Sequence, residues 1–394
     1  MSIGSKERGP LAGIRIFDMT QWMVGPWATM LLGSMGAEVL HLEQPDVDWS
    51  QLSAGVPPTI NGTSIGYLSW NMNKRGVFMD MKDEHDRAFA HKLIETCDVF
   101  VCNMRTGVAE RLGMAYEELS KINPGLVYCS ATGYGRIGPR ANERGTDSTV
   151  QALTGFWSTQ GARGEAPEKY RHYTQLDAST GNTIAQGVLL GLYARKRTGK
   201  GQKIDITMLD AGATAQVPRL AEHFAGVDHA PQGSSAFATA PDRAFLCEND
   251  RWIGVSVTSD AQWASLCRVL GNDELAADER FATNKDRVSN RDALEKLLVP
   301  LFREHPQTYW ILQLQAAGVP FGTPLEWEVL KNHRQVIENG YLQEIDTPAW
   351  GPHWTGGPPW QFSKTPAHME GAPIPGDATF ELQEEVAKRE AGKA

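Results

Sequence analysis

The 394-residue sequence is short of several things, and each shortage closes off a class of function. Cysteine is scarce: Cys97, Cys102, Cys129, Cys247 and Cys267 are odd in number and form no Cys-x-x-Cys pair. That argues against a disulfide scaffold and a cysteine-held metal centre and favours reduced core thiols. Positive charge is in the minority, with 38 Lys and Arg against 47 Asp and Glu and a formal net charge of -9. No basic run is longer than Arg195-Lys196-Arg197, so the electrostatic footprint of a nucleic-acid partner is missing. Nowhere do the roughly 20 apolar residues of a membrane span follow one another. The stretch from Met1 to Gly9 is polar, without the apolar core of a secretory signal. The expectation is a cytoplasmic protein with neither nucleic acid nor membrane as partner. In that setting Asn61-Gly62-Thr63, although spaced as a glycosylation sequon, reads as an Asn-Gly turn.

What is present is a chain with 41% hydrophobic residues, long enough for one large and one small folding unit. Ile14 to Asp18 reads as a strand, Trp27 to Met35 as a helix and Glu38 to Glu43 as a second strand, which makes a βαβ unit. The pattern repeats with a strand over Val77 to Met81, a helix over Glu84 to Thr96, and strands over Asp98 to Cys102 and Leu126 to Ala131. A long helix is expected from Ser179 to Arg197, stopped by Thr198-Gly199-Lys200-Gly201, then a strand over Lys203 to Thr207 and a helix over Leu209 to Phe224. This alternation predicts an α/β fold with a mostly parallel sheet covered on both faces. The Gly-, Pro-, Ser- and Ala-rich stretch from Ala225 to Asp242 reads as a linker. Paired strands over Arg243 to Cys247 and Trp252 to Val257, followed by helices, predict a smaller α+β domain. The expected layout is 1–203 for the first part of the large domain, 204–230 for a linker helix and loop, 231–325 for the small domain, and 326–394 for the return to the large domain.

Three groups carry the chemistry. Gly133-Tyr134-Gly135-Arg136-Ile137-Gly138 has the spacing of a dinucleotide fingerprint, but Pro139 to Gly145 reads as loop where the fingerprint needs a helix to meet the pyrophosphate. Asp177 stands just ahead of the long helix. There the macrodipole and neighbouring N–H groups favour an ionised carboxylate able to attack a thioester, while a simple helix cap is the bland alternative. Lys74-Arg75 and Arg105, near predicted strand ends, suit the phosphates of a nucleotide-containing ligand, against the alternative of solvated surface charge.

Taken together, the ordered blocks resemble the family III CoA-transferases, the CaiB/BaiF group that includes formyl-CoA transferase and carnitine CoA-transferase. The resemblance rests on Pro10 to Asp18 with Gly25-Pro26 and Gly36-Ala37-Glu38-Val39, and on Asn73-Lys74-Arg75. It continues through Asn103 to Gly107 with Arg111-Leu112-Gly113, Asn123-Pro124 leading into Gly133-Tyr134-Gly135, and Arg197-Thr198-Gly199-Lys200-Gly201-Gln202 with Asp205. The resemblance implies a Rossmann-like large domain built from both chain ends, an inserted small domain, and two subunits threaded as linked rings. It implies that Asp177 forms an acyl anhydride and then an aspartyl-CoA thioester. It implies CoA binding by Lys74, Arg75, Asn103, Arg105 and Tyr134. Acyl-CoA and a carboxylic acid are then substrates, with no bound cofactor and no metal, and the assembly is a homodimer or a heteromer with a homologue.

The chain departs from the formyl-transferase branch, with Met23 where that branch has Gln, Thr132 where it has Lys, and Gly233-Ser234-Ser235 as the nearest match to its glycine-rich loop. These departures point away from formate and oxalate. The related acyl-CoA racemases carry a His before the Asp in the block that reads Gly145-Thr146-Asp147 here, and Thr146 is no proton-transfer base. A racemase and a noncatalytic subunit are therefore the alternatives to a transferase. Trp22, Trp27, Trp49, Trp70 and Trp157 are candidates to line a pocket for an apolar or aromatic acid, with core packing as the default role for most.

Overall fold

The computed structural model describes residues 9–47, 59–162, 164–169, 174–236, 238–347 and 349–393. Contacts divide the chain into two units, one of Met1–Thr154, Tyr170–Pro218 and Arg334–Ala394, the other of Gly155–Lys169 and Arg219–His333. Both chain ends thus belong to the larger unit. The short stretch Gly155–Lys169, counted with the first 203 residues in the sequence layout, belongs to the smaller one.

Among the described residues, six strands of the larger unit form one sheet: β1 (Arg15–Met19), β2 (Glu38–Glu43), β3 (Lys74–Phe78), β4 (Val99–Cys102), β5 (Val127–Thr132) and β6 (Gln202–Thr207). Their spatial order is β3-β2-β1-β4-β5-β6, and every neighbouring pair is parallel. This is the doubly wound order, in which the chain reverses its direction of growth between β1 and β4. Buried parallel strands read as nearly continuous apolar runs, which is why Val99-Phe100-Val101-Cys102 was legible.

One face of the sheet packs Phe17, Leu40, Val77, Phe100 and Tyr128 against Phe89 and Leu93 of α2 (Glu84–Ile94) and Leu382 of the C-terminal helix Thr379–Ala391. Rings continue across strands, with Phe100 stacked on Tyr128 at 4.9 Å between centroids. The other face receives α1 (Val24–Ser34) and the long α4 (Gln175–Thr198). These two helices approach closely at Gly181, where an added Cβ would lie 2.7 Å from the Val24 carbonyl oxygen and 2.7 Å from the Trp27 ring. Between α1 and the sheet sits a buried ionic cluster. Asp18 on β1 takes Lys74 Nζ at 2.9 Å, His41 Nδ1 at 3.0 Å and the Thr29 hydroxyl at 2.7 Å on one carboxylate oxygen. Burial alone would raise Asp18, but the Lys74 ammonium and His41 outweigh it and hold the carboxyl well below the usual range.

The smaller unit has an antiparallel sheet of β7 (Asp242–Leu246), β8 (Trp252–Ser256) and the short β9 (Phe321–Gly322), with β8 in the middle. Helices Asp260–Val269, Arg291–Phe302 and Gln307–Ala317 cover it through Trp263, Leu266, Phe302 and Trp310. Its core takes in the Arg287 guanidinium, which donates to the Ala240 and Phe281 carbonyls and to Asp260. The fold is therefore α/β with a smaller α+β unit. No helix among the described residues is long and apolar enough to cross a membrane.

Candidate active site

In an open parallel sheet the loops leaving the carboxyl ends of the strands diverge where the winding reverses, and a crevice opens there. The larger unit has such a cleft, of about 770 Å³. Gln21 and Trp22 enter it after β1, Asp80 to Lys82 after β3, Asn103 to Arg105 after β4, Thr132 and Gly133 at the end of β5, and Met208 after β6. Glu143 to Asp147 and Asp177 line it as well.

Asp177 lies within the first turn of α4, which starts at Gln175 rather than at Ser179. The helix's own N-cap, Thr174, makes no side-chain cap bond. The cap comes from Asp147, at the start of α3 (Asp147–Leu153), whose Oδ2 accepts the Leu176 N–H at 2.8 Å and the Asp177 N–H at 3.1 Å. Two sequence expectations are corrected by this. The first-turn N–H groups of Leu176 and Asp177 are not open to an incoming oxyanion, and the carboxyl of Asp177 is not held ionised by the helix. Burial, followed by the charge of Asp147, pushes it up from 3.8 to about 7. Among the described residues the Asp177 carboxylate has no hydrogen-bond partner.

The expected binding residues separate into two groups. Arg105 lines the cleft and is exposed, and among the described residues no carboxylate pairs with it, nor with Lys82 or Arg144 nearby. Asn103 also lines the cleft, but its amide is engaged: its Oδ1 accepts the Gln21 N–H at 2.9 Å and its Nδ2 donates to the Gln21 carbonyl at 2.6 Å. It ties the loop after β4 to the loop after β1, across the switch point. The next residue, Trp22, holds φ 63°, the left-handed region that bulky residues avoid, with its ring exposed in the cleft and the Arg144 guanidinium 5.8 Å from the ring centroid.

Lys74 and Arg75 are not at the cleft. They begin β3, the opposite end of the strand from the loop that reaches it, and Lys74 is fully buried against Asp18. Arg75 pairs with Glu38 and with Glu381 of the C-terminal helix at 2.6 Å. Tyr134 lies beside the cleft without lining it, donating to the Thr149 hydroxyl at 3.1 Å beneath the guanidinium of Arg140. Sequence reasoning passed over Arg144, Lys82 and the partnership of Asp147 with α4. The available signal was a basic residue in the loops that follow β3, β4 and β5, at Lys82, Arg105 and Arg144.

Of the tryptophans, Trp22 lines this cleft, Trp27 and Trp70 line a separate cavity of about 320 Å³ in the same unit, and Trp157 belongs to the smaller unit. Trp49 lies outside the described residues. Thr146 caps α3 through a box with Thr149. Asp83, His85 and Asp86 bring ligand-type atoms together elsewhere, but Asp83 Oδ1 accepts the N–H groups of His85 and Asp86 and so serves the start of α2.

The model of CoA-transferase family III matches residues 11–379. The succinyl-CoA:glutarate CoA-transferase of Mus musculus is 32% identical over 385 residues, covering 97% of this chain and 88% of that protein. The acetyl-CoA:oxalate CoA-transferase of Acetobacter aceti is 33% identical over 340 residues, covering 86% of each. A CaiB/BaiF family protein from Brucella suis, known from a crystal structure, superposes with a TM-score of 0.85 at 27% identity, covering 96% of this chain and 100% of the other.

Proposed function

Because the chain belongs to CoA-transferase family III, we propose that it moves coenzyme A from an acyl-CoA thioester to a free carboxylic acid through covalent intermediates on Asp177. The observation that carries this reading is a carboxylate without a hydrogen-bond partner among the described residues, in a cleft whose cations pair with no described carboxylate, at the switch point of a doubly wound sheet. The Asp177 carboxylate attacks the donor thioester carbonyl, giving an acyl-aspartyl anhydride and CoA thiolate. The thiolate attacks the Asp177 carbonyl carbon and releases the donor acid. The acceptor carboxylate then attacks the aspartyl-CoA thioester, and the thiolate returns to the acceptor's carbonyl, freeing Asp177. Thioester energy is conserved throughout, so the exchange needs neither ATP nor a metal.

Lys82, Arg105 and Arg144 supply the positive charge that the CoA phosphates and the acid substrate require in an otherwise acidic protein. Lys74 and Arg75 have no part in it. A dicarboxylic acid fits best, since one carboxylate reacts while a cleft cation pairs with the other. The two relatives described above are named for glutarate and oxalate, so the exclusion of oxalate drawn from Met23 and Thr132 is not carried forward. The racemase reading has nothing in its favour, as Thr146 is a helix cap. The functional unit is a dimer of linked rings, the arrangement the family resemblance implies.

The test is covalent trapping. Asp177→Ala should lose at least ~10³-fold in turnover while still folding. Incubation of the native protein with succinyl-CoA and hydroxylamine should leave a hydroxamate on the peptide containing Asp177. Retained turnover, or a hydroxamate on Asp147 instead, would remove Asp177 from the role.

A further inference from the structure

Resting on Asp177 as nucleophile, we propose that Asp147 is its positioning residue, fastening the first turn of α4 through the backbone and holding a second negative charge beside the reacting carboxylate. The geometry has three parts. Asp147 Oδ2 accepts two backbone N–H groups, one of them from Asp177 itself. Asp147 Oδ1 accepts from Gln151, one turn further along α3 and 1% exposed, so both carboxylate oxygens are fixed. And α4 already begins with a threonine, Thr174, whose hydroxyl stays out of the capping role.

A neutral oxygen would satisfy the same two donors without repelling Asp177, so the informative feature is the charge. The other charged groups lining the cleft are Asp80 and Lys82 after β3, Arg105 after β4, and Glu143 and Arg144 ahead of α3. None of them bonds the Asp177 carboxylate among the described residues. Asp147 is the one that raises it, after burial.

The chemical consequence lies in how the mixed anhydride divides. When CoA thiolate attacks the Asp177 carbonyl carbon, a C–S bond forms, the C–O bond to the donor acid breaks, and the donor carboxylate leaves with the electron pair. When it attacks the donor's carbonyl carbon instead, Asp177 is the leaving group and the starting thioester is restored. The more basic carboxylate leaves less readily. A charge that makes Asp177 more basic than an ordinary acid therefore directs the anhydride forward.

Asp147→Asn separates the two functions, since the amide oxygen still receives the N–H groups and the charge is gone. The acid limb of single-turnover hydroxamate formation at Asp177 should move to lower pH by ~0.5 unit or more. With no acceptor acid present, exchange of labelled free CoA into the donor thioester should rise relative to aspartyl-CoA formation. Asp147→Ser, also neutral and able to accept, should show the same shift and serves if the amide variant fails to fold. A limb that stays in place in a folded neutral variant overturns the proposal and leaves Asp147 a structural cap. Asp177→Ala is assayed in parallel. Turnover in that variant defeats the nucleophile itself, whereas an inactive Asp177→Ala with an unshifted limb in Asp147→Asn defeats only the role of Asp147.

Discussion

A carboxyl group that is buried and also faces another carboxylate is easier to keep protonated, and Asp177 is in that position. Its value rises from 3.8 to about 7, with burial the larger cause and Asp147 the second. The sign of the effect on stability follows from proton counts. Between the two values the native state retains a proton that the unfolded chain has released, so stability falls as pH rises through this window and stays low above about 7. Asp177→Asn removes the titration, and thermal melts should show it stabilising at pH 8 relative to pH 4. An equal change in Tm at both values would show that Asp177 titrates normally. Under the mechanism proposed above activity should run the opposite way, because the ionised form is the one that would attack the thioester. The cations divide just as sharply. Losing a charge-assisted hydrogen bond costs about 1.5–3 kcal/mol, so Arg105→Ala should weaken CoA binding by roughly 10- to 100-fold. Arg75→Ala should leave CoA titrations unchanged, because its guanidinium is committed to Glu38 and Glu381. The reverse pattern would return the phosphate site to the start of β3.

At the scale of elements, what could be read from the sequence was whatever local pattern determines. β2 falls on Glu38–Glu43 as expected, and β4 and β5 are displaced by one residue at most, since their apolar runs are bounded by turn residues. β3 begins at Lys74, three residues ahead of the Val77 that the pattern predicts, because a lysine at a strand start reads as exposed. Its charge is neutralised by Asp18 two strands away, a contact with no local signature. α4 likewise begins at Gln175, ahead of the expected Ser179, as its cap lies 30 residues before Asp177, on α3. The helix expected over Leu209 to Phe224 is two, Met208–Ala215 and Val217–Phe224, with Pro218 at the start of the second, where proline is tolerated. Asp177 was found as a residue, but its charge state depends on these non-local partners. Helix packing gives its own prediction. A methyl group at Gly181 would meet the Val24 carbonyl oxygen at 2.7 Å, and backbone cannot rotate away as a side chain does. Gly181→Ala should therefore destabilise by about 1–3 kcal/mol in urea unfolding. As α1 and α4 flank the cleft, activity should fall with it. An unchanged midpoint would mean that the two helices separate freely.

For the whole molecule, the outer face of α4 is the feature that one chain leaves unexplained. A helix that covers a sheet buries one stripe and turns polar residues outward. Yet the second half of α4 exposes Leu189, Leu190 and Tyr193 at 40%, 68% and 65%, and Tyr193 shares a face with both leucines because it lies four and three residues after them. Apolar surface gathered on one face marks a protein interface more often than chance exposure does. The linked-ring dimer proposed for this chain gives that face an occupant, a second copy of the same chain. Sedimentation at micromolar concentration should then report twice the 43.3 kDa of the chain, with no dissociation on tenfold dilution. Threaded rings separate only if a subunit opens, so exchange between labelled and unlabelled dimers should be as slow as unfolding. Leu190→Glu places a charge in the middle of the face without touching the cleft, and it should lower the yield of assembled dimer. A native protein that sediments only at 43.3 kDa, or a Leu190→Glu variant that assembles as well as the parent, would leave the exposed face of α4 to another partner and remove the linked rings from the account.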